Sequence, residues 1–258
     1  MNDQERKRVV DAIRRCLIHH NVEIIYIACC GSHGKGLASN DSDYDTKVIT
    51  LSTKENYLLQ RVKPTIKFAL QENGVDVEGV AIDFLTAAKY VTTQNTSAYD
   101  IFSGVVLLRS TPSDLLQQAF MGTYCPRRLQ DSLIGILRMY MNKKIGYPDI
   151  RTTSRKLAAE IAYVSLKLIT ITIGPYPLPP SYNAFDLIES SHLTHSERRE
   201  VALLFEQRRD DRTQPYEISE TLFSLVDRAL HLDLLPKNAG AQEHVENRIY
   251  SKFVDMLA

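Results

Sequence analysis

The chain has 258 residues, and its 31 Lys and Arg balance 31 Asp and Glu, for a formal net charge of zero. That length supports one large domain or two modest ones with a core that needs no staples. The balance removes any global electrostatic case for nucleic acid, so such binding would need a local basic patch.

The opening MNDQERKRVV is too polar for a signal peptide. Residues near 3–20 then place Val9, Val10, Ile13, Cys16 and Leu17 at helical spacing, which predicts an amphipathic helix. VEIIYIACC is short, β-branched and stopped by Gly31, and reads as a buried strand. A Gly-Ser turn and a glycine-broken loop lead to a second strand, YDTKVITL. TIKFAL alternates apolar and polar residues, and Asn73-Gly74 offers a hairpin turn into VDVEGVAIDFL. This part is expected to be a small mixed or antiparallel sheet with helices, ending near Thr111-Pro112.

Beyond it the β signals fade. PSDLLQQAF, RLQDSLIGILRMYMNKK and TTSRKLAAEIAYVSLKLIT read as helices, followed by a proline-rich loop, GPYPLPPSYN. THSERREVALLFEQRRDD opens with a capping box, Thr194 to Glu197. Two further helices are expected over roughly 216–235 and 240–257. The expected plan is α+β: residues 1–111 as a sheet domain and 112–258 as an all-α domain. The most apolar late segment, AEIAYVSLKLITITIG, is short and carries Lys167, so no membrane span is expected. Cys16, Cys29, Cys30 and Cys125 lack CxxC spacing and suit buried thiols in a reducing cytoplasm.

The chemistry concentrates in CCGSHGKGLASNDSDYDTKVITL, Cys29 to Leu51. Residues two apart on a strand share a face, so Asp43 and Asp45 project together. Two ionised carboxylates that close repel each other unless a cation sits between them, and Mg²⁺ suits such a pair. Asp83, inside the apolar GVAIDFLT, is the candidate third carboxylate, because a lone charge there is costly to bury. Its plain alternative is a cap on the following helix at Leu85 or Thr86. Gly31 lets backbone approach a ligand, and Ser32 with the following N–H groups can bind phosphate oxygens. A phosphate cradle with metal carboxylates describes nucleotidyl transfer, in which two metals clamp an in-line displacement.

G-S, ten residues, then D-x-D, with a later strand aspartate, resembles the DNA polymerase β-like nucleotidyltransferase superfamily. GSHGKGLASNDSDYD looks most like its predicted nucleotidyltransferase family associated with RNA repair and RNA ligase, common in bacteria and phages. IDFLTAAKYV resembles that family's third-aspartate strand and following helix with a lysine, here Lys89. His33 and Lys47 stand where relatives often carry arginine. The resemblance implies a nucleotidyltransferase-type sheet domain acting on a nucleoside triphosphate. Gly31 and Ser32 would hold the β- and γ-phosphates, Asp43 and Asp45 would ligate two Mg²⁺ (or Mn²⁺), and Asp83 would ligate the ion that activates the acceptor hydroxyl. Lys35 and Lys47 are further triphosphate candidates, with a solvated surface lysine as the alternative for each.

The acceptor stays open at this level. An RNA or tRNA end ranks first, a protein or small-molecule hydroxyl second, and a non-catalytic nucleotide-binding or antitoxin-like partner is a third reading. Arg138, Lys143, Lys144, Arg151, Arg155 and Lys156, interleaved with Tyr140 and Tyr147, could form a patch for triphosphate or RNA, or a solvated helical face. Arg14 and His19 form the R-x4-H pattern of helical ribonucleases, for which a basic helix end is the simpler account.

Overall fold

A computed structural model describes residues 1–72, 74–141, 152–174, 179–236 and 242–257. Asn73 of the expected hairpin turn, four members of the expected basic patch (Lys143, Lys144, Tyr147 and Arg151) and part of the proline-rich loop lie outside the described residues.

The chain runs α1 (Asp3–Leu17), β1 (Val22–Cys29), α2 (Gly31–Lys35), β2 (Tyr44–Ser52), α3 (Lys54–Leu58), β3 (Thr65–Glu72), β4 (Val75–Asp83), α4 (Phe84–Thr92), α5 (Thr96–Ser103), β5 (Val105–Arg109) and α6 (Thr111–Thr123). It continues through α7 (Pro126–Tyr140), β6 (Thr152–Ser154), α8 (Arg155–Ile173), α9 (Ala184–Ser190), α10 (His195–Asp210), β7 (Pro215–Glu217), α11 (Glu220–Leu230) and α12 (Gln242–Leu257). These elements form two compact units. Met1–Gly34, Ser42–Tyr124 and the last helix make the first; Lys35–Asp41 and Cys125–Asn238 make the second. The grouping is therefore not a single cut after residue 111, since α6 and α12 pack with the sheet unit.

The first unit is built on a mixed sheet in the order β3-β4-β2-β1-β5. β2 and β4 pair in parallel, and every other neighbouring pair is antiparallel. Strand alternation sorts the side chains onto two faces. Ile27, Cys29, Tyr44, Val48, Val75, Val77 and Ala81 face α1, whose Val9, Val10, Ile13 and Leu17 complete that core. α1 starts where Asn2 and Glu5 form a capping box, and it ends in a 3-10 turn closed by Asn21 at φ 50°. The opposite face is only part covered. α4, α5 and α6 lie against β1 and β2, with Tyr26 and Phe102 ring centroids 5.6 Å apart, and bury Ile49 and Ile82. The remainder of that face, from Asp45 and Glu78 to Lys47 and Lys67, lines a cleft of about 500 Å³.

α2, α3, α5 and β5 go beyond the expected elements. Each is short, and β5, whose apolar run Val105–Leu108 suits a strand, pairs with β1.

The second unit surrounds α8, which is apolar nearly all round and buried from Ala158 to Ile171 by α7, α9, α10 and α11. It is helical apart from one short pair, β6 with β7. Its interior also holds charge. Lys35 Nζ meets Glu160 Oε2 at 2.6 Å, and Lys167 lies 4.4 Å above the Tyr163 ring and 4.7 Å above that of Tyr182. Arg208, 1% exposed, donates to the Leu37 carbonyl. Burial alone would raise the Glu160 pKa, but the Lys35 charge and hydrogen bond, with Arg208 and Lys167, hold it below the ordinary value.

Removing one member of such a pair leaves a buried uncompensated charge. Lys35→Met is expected to lower stability at pH 7 by about 3 kcal/mol, and Lys35→Met/Glu160→Leu should recover only part of the loss, because it takes the carboxylate away from Arg208 and Lys167. The pKa of Glu160 is depressed by folding, so its contribution is complete above the unfolded value and disappears as pH falls through the folded one. Denaturant unfolding at pH 7 and pH 4 should therefore show the gap between wild type and Lys35→Met narrowing on acidification.

Candidate functional site

The loop from Gly36 to Asp43 delivers two carboxylates to the start of β2, and local contacts fix its landing. His33 stacks on Tyr44, with centroids 4.0 Å apart and planes 16° apart, and its Nε2 bonds the Ser42 carbonyl at 3.1 Å. The Tyr44 hydroxyl donates to Glu5 of the α1 capping box, and this bond, against the opposing effect of burial, helps to lower the Glu5 pKa. Tyr44 thus points into the α1 face, and alternation turns Asp43 and Asp45 to the open one.

The third carboxylate is Glu78. The parallel register sets Asp45 beside Glu78, and Asp43, Asp45 and Glu78 offer oxygens all within 4.8 Å of one another. The Glu78 pKa is raised, chiefly by Asp43, then by burial and by Asp45, which also hydrogen-bonds it. Like charges held this close call for a cation. Around one octahedral Mg²⁺ neighbouring oxygens stand roughly 3 Å apart and opposite ones roughly 4.2 Å, so the trio could hold a hard divalent ion if its carboxylates draw together.

Gly31 belongs to the same constellation. Its φ is +53°, and a Cβ there would stand 1.8 Å from Asp45 Oδ2. The Cys30 amide donates to the Asp45 carbonyl at 2.8 Å, which ties the bend to β2. Only glycine satisfies both the left-handed backbone and the close approach of the carboxylate. Ser32 follows directly, 8% exposed, with no hydrogen-bond partner for its side chain among the described residues. Lys47 lies two residues past Asp45 on the same face and lines the same cleft.

Two sequence expectations change. Asp83 does not join Asp43 and Asp45. It pairs in register with Thr50, five residues beyond the Asp45–Glu78 level, or about 16 Å along the strand. Its position also has the parity of Val75, Val77 and Ala81, which face α1. Its carboxylate caps α4, accepting from the Leu85 amide at 3.0 Å and from the Tyr57 hydroxyl at 2.5 Å. Burial raises the Asp83 pKa, against the opposing pull of those hydrogen bonds. Lys35, expected on a triphosphate, is instead engaged with Glu160 in the helical unit. Glu78 was legible in principle: in VDVEGVAID it has the opposite parity to Val75, Val77 and Ala81, so it belongs to the face away from the core. Asp41 stays outside the trio, bonded by Ser39 at 2.6 Å and 3.4 Å from Arg212.

Residues 6–82 match a family described as the RNA repair pathway DNA polymerase beta family. That segment contains Gly31, Ser32, Asp43, Asp45, Lys47 and Glu78, and the match supports the resemblance to DNA polymerase β-like nucleotidyltransferases. No curated protein matches the chain. Among solved structures, it is similar to a nucleotidyltransferase-like protein from Exiguobacterium sibiricum 255-15, at 13% identity over 95% of this chain and 77% of that one, with a TM-score of 0.30.

The two acidic positions on β4 predict opposite phenotypes. Asp83→Ala loses a helix cap and strands the Tyr57 hydroxyl, and should cost roughly 2 kcal/mol while leaving Mg²⁺ affinity unchanged. Glu78→Gln removes like-charge repulsion, and without metal should raise the melting temperature by about 1 to 2 °C. Adding Mg²⁺ should reverse that order, because the wild type gains the larger stabilisation. Thermal melts with and without Mg²⁺ read both outcomes.

Proposed function

We propose that the protein is a metal-dependent nucleotidyltransferase that moves NMP from an NTP to an acceptor hydroxyl, most favourably at an RNA or tRNA end, and releases pyrophosphate. One observation carries this reading: three carboxylates from two parallel strands converge beside a bend that only glycine can form. Similarity over residues 6–82 to a family with an RNA repair description supports the acceptor class.

Asp43, Asp45 and Glu78 would hold two Mg²⁺ ions, or Mn²⁺ in their place. When bound, such ions neutralise charge on the reacting phosphate oxygens and lower the pKa of a bound hydroxyl. The chain's own residues supply the geometry. The Gly31–Ser32 bend offers backbone N–H groups and a hydroxyl to the leaving phosphates, and Lys47 adds positive charge on the same face. Glu78, on the β4 side of the trio, is the carboxylate nearest to an acceptor arriving from β3. Attack in line with departure puts the acceptor hydroxyl on the side of the α-phosphorus away from the bend. The four thiols are free, which agrees with a reducing cytoplasm as the setting.

The test is pyrophosphate release from each NTP in Mg²⁺, with and without RNA, beside Asp43→Ala/Asp45→Ala. Release that depends on RNA and falls by at least about a hundredfold in the double variant is expected. Release with protein or small-molecule acceptors only would move the acceptor to the alternative class. NTP binding with no release under any condition would make the protein a binding module.

A further inference from the structure

The cleft beside the carboxylate trio has a second row, of which the reaction as outlined uses only Lys47. One level along the strands from Asp45, Glu78 and Ala69, the register aligns Lys47 on β2, Val80 on β4 and Lys67 on β3. Opposite residues on neighbouring strands share a face, and all six line the one cleft of about 500 Å³. An acidic row therefore lies next to a row with a lysine at each end. Lys67 is exposed, and neither lysine forms an ion pair with a carboxylate among the described residues. Their charges are not spent on neutralising the trio. Ala69, opposite Glu78 on β3, is small, and both residues are exposed.

The position of Lys67 in the strand order decides which phosphate it serves. The Gly31–Ser32 bend follows β1, whereas Lys67 lies on β3, beyond both β2 and β4. At about 4.8 Å per strand, it stands roughly 14 Å from β1, on the far side of the carboxylates from the bend. An in-line displacement places the leaving pyrophosphate and the incoming hydroxyl on opposite sides of the reacting phosphorus. With the pyrophosphate at the bend, the β3 side receives the acceptor. Arg61 and Lys63, both exposed, lead into β3 and extend the positive charge at that edge.

We propose that Lys67 binds a backbone phosphate of the acceptor, so that the acceptor is a nucleic-acid strand entering over β3 and β4 rather than a protein or neutral small-molecule hydroxyl. This rests on the nucleotidyltransferase reading for the direction of attack. The plain alternative is that Lys67 only keeps an edge strand from pairing with another chain; that role gives no reason for a second lysine at the same level on β2, inside the cleft.

The test uses the full chain, a fluorescent single-stranded oligoribonucleotide and a fluorescent NTP analogue, with anisotropy read in Mg²⁺ at several salt concentrations. Lys67→Ala is expected to weaken oligoribonucleotide binding about five- to tenfold and to lower the magnitude of its salt slope by about 0.7. Lys67→Arg should restore both, and NTP affinity should stay constant in every variant. Weakened NTP binding with unchanged oligoribonucleotide binding would assign Lys67 to the triphosphate and overturn the proposal. So would no binding of the oligoribonucleotide by wild type, or a change only in self-association by light scattering. Because these are binding measurements, absent pyrophosphate release would count against the transferase reading without deciding this one.

Discussion

The site depends on one pairing, the parallel register between β2 and β4. Strand register is discrete: a slip of one residue would move Glu78 to the far face, and a slip of two would carry it about 6.6 Å along the strand from Asp45. Burial holds the register in place. Val48 and Ala81 lie opposite each other on the α1 face, and Ile49 and Ile82 do so on the other, all of them buried. Gly79 adds a steric lock, because a Cβ there would stand 2.4 Å from the Thr46 carbonyl and hydroxyl oxygens and 2.8 Å from the Phe68 ring. The apolar core thus sets where the charged groups meet, and the charged groups themselves oppose that meeting.

That opposition has functional meaning. Three clustered carboxylates, two of which line the cleft, with the Glu78 pKa raised by its neighbours, form an arrangement whose repulsion a divalent cation would relieve. The buried pair in the helical unit follows a different logic. Lys35 satisfies Glu160 from within the protein, so that carboxylate is held ionised and requires no ligand. Two acidic positions drawn to attention by burial or clustering therefore end in different roles, one structural and one open toward the cleft.

Much of the fold is written in local patterns. The amphipathic spacing of α1, the apolar run of β1, the alternation in β3 and the Thr194–Glu197 capping box each reappear in the structure. Asp43, Asp45 and the Gly31–Ser32 bend could be read because their relation is local, fixed by one strand and its approach. The third carboxylate depends on pairing between strands separated in sequence, which the cost of burying Asp83 does not report. An aspartate in an apolar run does need a partner, but the Leu85 amide and the Tyr57 hydroxyl supply it. Parity against the core positions of β4 was the stronger signal. Lys35 follows the same rule: its partner Glu160 is 125 residues away, and no local pattern links them. α5 and β5 are short, and each carries a local signal, the Asn95 cap of α5 and the apolar run of β5.

The most direct test of the account is an experimental structure with Mn²⁺ and a non-hydrolysable NTP analogue, in which anomalous scattering locates the metal. Manganese bound by Asp43, Asp45 and Glu78, with the triphosphate at Gly31 and Ser32, is the predicted result. Manganese at Asp83, or a triphosphate lying along β3, would contradict it.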